Sequence, residues 1–301
     1  MKILTTVDIP EPEKRIDFSS KILCLGSCFA DSMGEQLKMY GFDCLVNPFG
    51  TLYNICSVFN SLMRLGAVSG LLRSSDNPLF SKEDVFLRPD GKFVTWSHHS
   101  RCGVRQTDGT AEDFLKKANE DLKAAADFFC KADTVVITLG TSYVFKLKGT
   151  EFVVSNCHKF PAKDFERVFV PSEDTKEMIL QILGMFPQKR FVFTVSPIRH
   201  LADGAHGNNL SKSALLLAVD GALKEPGGTS SLCNLDYFPS YEIMMDELRD
   251  YRWYGEDMVH PSEAAVKYIF ERFSDSFIAE DCKEKMQMNL KRWKASNHLI
   301  R

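Results

Sequence analysis

The chain of 301 residues contains no run of about 18 apolar residues, the length a membrane-spanning helix needs, so no helical membrane span is expected. Residues 1–15 carry Asp8, Glu11 and Glu13 and lack a continuous apolar core, so this stretch does not read as a secretory signal. Paired cysteine spacing is also missing. The nine cysteines (Cys24, Cys28, Cys44, Cys56, Cys102, Cys130, Cys157, Cys233 and Cys282) are odd in number and include no C-x-x-C. That pattern argues against a disulfide framework and a thiolate zinc site, and makes a reducing cytoplasm the expected compartment. The charge imbalance is small, a net −3, which gives no reason to expect nucleic acid or anionic lipid as partner. Nothing has the glycine spacing of a dinucleotide or phosphate loop, so no organic cofactor is expected. No carboxylate-rich ligand set with metal spacing is visible either, and no metal is expected.

What the chain does have is apolar content, 44% of residues, enough to bury a sizeable core. Apolar runs alternate with amphipathic stretches. The strand candidates are Ile22 to Leu25, Phe42 to Val46, Thr134 to Leu139, Arg190 to Val195 and Leu232 to Tyr237. Phe29, Met33 and Leu37 recur at helical spacing up to Gly41, and further helices are expected at Ile55 to Leu65, Glu112 to Cys130, Glu173 to Phe186, Leu210 to Leu223, Tyr241 to Tyr251 and Pro261 to Ile278. Strands separated by helices imply right-handed parallel crossovers, hence an α/β domain of three layers, α/β/α, with a central parallel sheet. A single domain over residues 1–301 is expected. It carries an insertion at about 74–108, where Val85 to Leu87, a turn at Arg88 to Gly91 and Phe93 to Trp96 read as a β-hairpin, either a lid over the site or a surface excursion. A helical basic tail is expected at about 280–301, where Lys283, Lys285, Lys291, Arg292, Lys294 and Arg301 read as a solvated face.

Two distant stretches look like halves of one active site: Leu25 to Ala30 near the start and Asp257 to Pro261 near the end. An oxygen or sulfur nucleophile on a strand-to-helix turn, with a distant Asp-x-x-His to activate it, is what acyl transfer requires. Asp257 can hold one imidazole nitrogen of His260, leaving the other to act as general base. At a helix N-terminus, backbone N–H groups and the helix dipole favour a thiolate and a developing oxyanion. Two candidates sit there, Ser27 and Cys28.

Gly26-Ser27-Cys28-Phe29-Ala30 spells the motif of the GSCFA family, and Asp257-x-x-His260-Pro261 resembles the last block of the SGNH (GDSL-like) hydrolase superfamily. Thr138 to Ser142, Asn156 to Lys159, Ser196 to His200 and Tyr237 to Tyr241 are similar to the same pattern, so the resemblance runs over roughly residues 20 to 280. It implies a flavodoxin-like SGNH-hydrolase fold and ester chemistry on an acyl group, often one carried by a carbohydrate. The implied partner is a small-molecule or carbohydrate ester. In superfamily register the nucleophile falls on Cys28, with Ser27 in the usual aspartate position. The alternative for Cys28 is a small buried residue under the helix. Gly50 matches the second-block glycine whose N–H faces the oxyanion, or else is a turn glycine with positive φ. Where the superfamily has Gly-x-Asn, this chain has Gly140-Thr141-Ser142, so the donor role falls to Ser142 or moves to Asn156.

His158 with Lys159, and Arg199 with His200, are candidates to bind an anionic or polar substrate, although Arg199 can instead cap a helix or pair with Asp203. The leading expectation is an ester hydrolase working through a Cys28 or Ser27, His260 and Asp257 acyl-enzyme, with sugar O-acyltransfer as the alternative outcome. Two other classes stay open. One is a binding module for a glycan or acylated ligand without turnover. The other is a metal-dependent hydrolase built from His98, His99, His158, His200 and Asp257.

Overall fold

β-Branched and aromatic runs become strands here, and short polar, glycine-containing segments turn the chain between them. In the computed structural model, residues 5–74, 77–97, 104–225 and 234–298 are described. The strands are β1 Lys21–Gly26, β2 Asp43–Val46, β3 Phe86–Leu87, β4 Phe93–Val94, β5 Thr134–Leu139, β6 Tyr143–Leu147, β7 Val153–Val154, β8 Phe165–Phe169, β9 Arg190–Val195 and β10 Leu235–Tyr237. The longer helices are α1 Cys28–Met39, α2 Ile55–Val68, α3 Ala111–Lys131, α4 Ser172–Met185, α5 Gly204–Leu223, α6 Glu263–Phe277 and α7 Lys283–His298.

Five strands form one parallel sheet in the order β10-β9-β5-β1-β2, with Ile22 opposite Thr134 and Thr134 opposite Arg190. Numbered within this sheet, the order is the 2-1-3-4-5 of flavodoxin-like folds. Alternation along the strands divides the core between two faces. Leu23, Leu25, Val135, Ile137, Phe191 and Phe193 join α2, α3, α4 and α5 on one side, while Ile22, Cys24, Val136 and Val192 join α1 and α6 on the other. Helices on both faces explain why all six residues of β5 are buried.

The expected strands of the main sheet form, as does the hairpin, in which Phe86 faces Val94 and Leu87 faces Phe93. The last strand starts at Leu235; Leu232 and Cys233 lie outside the described residues. Helix α5 starts earlier than expected, because Gly204, Gly207, Asn208 and Asn209 hide its first turns from an apolar-periodicity reading. Instead of one helix over Tyr241 to Tyr251, there is a helical turn Ser240–Glu242, a π-helical turn Ile243–Glu247 and a 3-10 turn Tyr251–Trp253. A second, antiparallel sheet, β7-β6-β8, was not legible in the sequence, because its strands are short and mix polar with apolar residues. It packs on the hairpin through Trp96, Val154 and Phe165. Among the described residues no helix is long and apolar enough to cross a membrane.

Candidate active site

β1 ends at Gly26, whose φ of +138° and tight packing on β5 leave no room for a side chain: a Cβ there would lie 2.2 Å from the Thr138 carbonyl oxygen. The chain then turns. The Ser27 N–H donates to the Thr138 carbonyl at 3.0 Å, and the buried Ser27 hydroxyl accepts from the Phe29 N–H at 3.3 Å as N-cap of α1. Cys28, partly exposed, is thereby the first residue of the helix. Its Sγ lies 3.4 Å from His260 Nε2.

His260 stands on a tight turn after Tyr254. Its Nδ1 is 2.6 Å from Asp257 Oδ2, while Asp257 Oδ1 accepts the N–H groups of Val259 (2.9 Å) and His260 (3.0 Å). The turn forces Met258 to a φ of +56°, which only the surrounding bonds sustain. Arg199 clamps it: Nη1 donates to the Met258 carbonyl at 3.1 Å, its N–H donates to the Val259 carbonyl at 3.2 Å, and the guanidinium lies over the Tyr254 ring. The carboxylate therefore fixes the imidazole, and the arginine fixes the turn that holds both.

The electrostatics point to a base-assisted thiol rather than a free thiolate. Burial pushes the Cys28 thiol up, helped by the charge of Asp31; its own backbone N–H, the Lys212 ammonium and the Phe29 N–H oppose that rise. Hydrogen bonds from the His260 backbone and side chain hold the Asp257 carboxyl down at about 2. Burial, reinforced by the positive charges of Lys212, Arg167 and His260, draws His200 down to about 4, so it is neutral at neutral pH. His200 Nε2 is buried and has no hydrogen-bond partner among the described residues. It faces Gly140, where a Cβ would come within 3.4 Å of both His200 Nε2 and Ser27 Cβ.

Gly50, Ser142, Asn156 and His158 make hydrogen bonds to partners other than Cys28 and His260. The Gly50 N–H donates to the Asn47 carbonyl at 2.8 Å, with φ +84°, closing a turn. Buried Ser142 donates through Oγ to the Ser211 carbonyl at 3.0 Å and through its N–H to Ser211 Oγ at 2.7 Å, tying the end of β5 to α5. Asn156 Oδ1 accepts the His158 N–H at 2.7 Å, and buried His158 contacts the Thr95 carbonyl through Nε2 at 2.9 Å, beside Trp96. These two residues thus sit in the turn that follows β7. His98 and His99 lie outside the described residues, and among those described no group of three or more His, Cys, Asp or Glu is arranged to hold a metal ion. Tyr53, edge-on to His200 at 6.0 Å, and Lys212 join the site without having been singled out in the sequence. Lys212 was findable: Asn208, Ser211, Lys212, Leu215, Ala218 and Ala222 form the buried stripe of α5, and a lysine in such a stripe is anomalous. Beside the Arg199 clamp lies a cavity of about 420 Å³ lined by Asn208, Tyr241, Arg249, Tyr251 and Tyr254.

Comparison with curated proteins gave no match. Among solved structures there is similarity to a family two carbohydrate esterase from Clostridium thermocellum in complex with cellohexaose, at 15% identity and a TM-score of 0.31, covering 89% of this chain. This chain spans 65% of that structure's length, and a likeness of that strength carries no argument about function. The GSCFA family model matches residues 21–273, a span that holds both the Ser27-Cys28 turn and the Asp257–His260 turn, and the chain belongs to the GSCFA family.

Proposed function

We propose that the protein is an ester hydrolase that removes acyl groups through a cysteine acyl-enzyme. The observation that carries this reading is the continuous relay from Cys28 Sγ through His260 to Asp257, 3.4 Å and then 2.6 Å. Cys28 Sγ attacks the acyl carbon and its proton passes to His260 Nε2. Asp257 fixes the tautomer and supports the imidazolium. Collapse of the tetrahedral intermediate breaks the bond to the alcohol oxygen, which takes the proton from His260. Water then repeats the sequence: His260 removes its proton, the C–S bond breaks, the acid leaves and the proton returns to Cys28.

Negative charge on the acyl oxygen needs two hydrogen-bond donors. The first-turn N–H of Cys28 is one. Neutral His200, with its unpartnered buried Nε2 facing Gly140, is the second in this reading, supplying the hydrogen bond that the missing Asn would give. The His260 and Asp257 side chains are 49% and 51% exposed, so water reaches the base and hydrolysis is favoured over transfer to a sugar hydroxyl. For the alcohol side, the cavity beside Arg199 offers tyrosine faces for the C–H face of a sugar ring and Asn208 and arginine donors for its hydroxyls, which suits a carbohydrate ester.

The test is release of p-nitrophenol from p-nitrophenyl acetate by the wild type, Cys28→Ala and His260→Ala. A burst in the wild type and a loss of at least about a hundredfold in both variants is expected. Equal rates in all three would remove the proposal.

A further inference from the structure

Lys212 is 1% exposed, in the buried stripe of α5, between Asn208 and Ser211 on one side and Leu215 and Ala218 on the other. Its ammonium donates to the carbonyls of Gly140 and Ser196, each at 2.7 Å, at the C-terminal ends of the neighbouring strands β5 and β9. The Tyr241 ring lies 5.8 Å away, and among the described residues no carboxylate pairs with it. An unpaired buried ammonium is costly, and a neutral amide would tie the same carbonyls at lower cost. The position explains the charge. A Cβ on Gly140 would lie 3.4 Å from Ser27 Cβ, so the ammonium bound to the Gly140 carbonyl stands close behind the turn that presents Cys28, and its field acts on the Cys28 thiol and on His200.

We infer that Lys212 is a positioning residue for the nucleophile: anchored on the Gly140 and Ser196 carbonyls, it holds a positive charge behind Cys28 that favours negative charge on Sγ. This inference rests on the thiol-nucleophile reading above. Other groups also face this pair. Cys28 is met by Asp31 from its own helix, by His260, itself paired with Asp257, from the turn and by Tyr53 from the segment before α2; Lys212 is met by Tyr241 and His200. Burial draws the Lys212 midpoint down to about 7, so the charge is present below neutral pH and lost above it. The help it gives Cys28 is therefore pH-dependent, which a purely structural lysine would not be.

The test reads the rate of Cys28 carbamidomethylation by iodoacetamide against pH, located by peptide mass, in the wild type, Lys212→Met, Lys212→Gln and Lys212→Arg. The other facing groups are common to all four and cancel in the ratios. At about pH 6 the wild type and Lys212→Arg should react about tenfold faster than Lys212→Met and Lys212→Gln. By about pH 9 the wild-type advantage should vanish while that of Lys212→Arg persists. A ratio that is flat across pH, or equal rates throughout, overturns the inference. If the neutral variants do not fold, the reciprocal measurement leaves Lys212 in place. The Lys212 13Cε resonance is followed against pH in protein whose Cys28 carries either a carboxymethyl group, charged, or a carbamidomethyl group, neutral. A higher midpoint with the charged group supports the inference, and identical midpoints overturn it. Alkylation needs no ester. A protein inert to esters that shows the pH-dependent ratio therefore loses the hydrolase reading alone, and turnover with a flat ratio loses this inference alone.

Discussion

Ser27 and Cys28 are neighbours with opposite surroundings, one hydroxyl turned in to cap a helix, one thiol turned out toward an imidazole. Ser27→Ala should therefore cost about 0.5–2 kcal/mol of stability, read as a shift in the urea midpoint, while leaving acylation intact. The sequence left the pair unresolved because spacing along a chain does not encode which way a side chain turns; the cap decides it. The same limit applies to Ser142, whose donors are consumed by Ser211 on a distant helix, whereas for Gly50 the turn with positive φ was one of the two readings open in the sequence and is the one that forms. Lys212 was readable as an anomaly, although its partners were not. The oxyanion role proposed for His200 predicts that His200→Phe lowers kcat by about 10²–10³ with KM little changed, measured under saturating ester. An unchanged kcat would assign the role to another donor.

At the scale of elements, the strand-turn-helix unit that opens the site depends on Gly26. A methyl at that position meets the Thr138 carbonyl at 2.2 Å, so Gly26→Ala should destabilise by at least about 3 kcal/mol, visible in thermal unfolding. The turn from Tyr254 to His260 is held from outside by Arg199, through the carbonyls of Met258 and Val259. Removing a charged donor from such a clamp costs about 1.5–3 kcal/mol, so under the proposed function Arg199→Met should lower kcat about tenfold or more without changing the pH at which ester turnover is half-maximal. Main-sheet strands and their helices were legible because each is a continuous apolar run or a clean helical stripe. The β7-β6-β8 sheet was not, since a two-residue strand and residues such as Lys146 and Arg167 carry no periodic signal. The turn after β7 holds Asn156 against the His158 N–H and His158 beside Trp96, although both stand in a motif that resembles the family pattern.

In the whole molecule, two helical layers on a parallel sheet bring the ends of β1, β5 and β9 together, and residues separated by 232 positions meet there. The three layers on a parallel sheet were readable from alternation and the handedness of crossovers, whereas the flavodoxin-like strand order was implied only by the family resemblance. The same burial makes stability depend on pH. His200 has a folded-state pKa of about 4 against an ordinary 6.5, and Lys212 about 7 against 10.5. Both are lowered, so the unfolded chain binds more protons in each window and stability is lost as pH falls, from 10.5 toward 7 for Lys212 and from 6.5 toward 4 for His200. Denaturant midpoints should accordingly fall between about pH 7 and pH 4, and His200→Gln should flatten that slope. A slope unchanged in the variant would mean that His200 is protonated in the folded protein. The proposed hydrolysis passes through one covalent bond, between the acyl group and Cys28. The wild type and His260→Ala are to be quenched in acid during turnover of p-nitrophenyl acetate, digested and mapped by mass. The account predicts an acetyl group on Cys28 in the wild type and none in His260→Ala. An acetyl group on Ser27, or turnover with no acyl adduct at either residue, would contradict it.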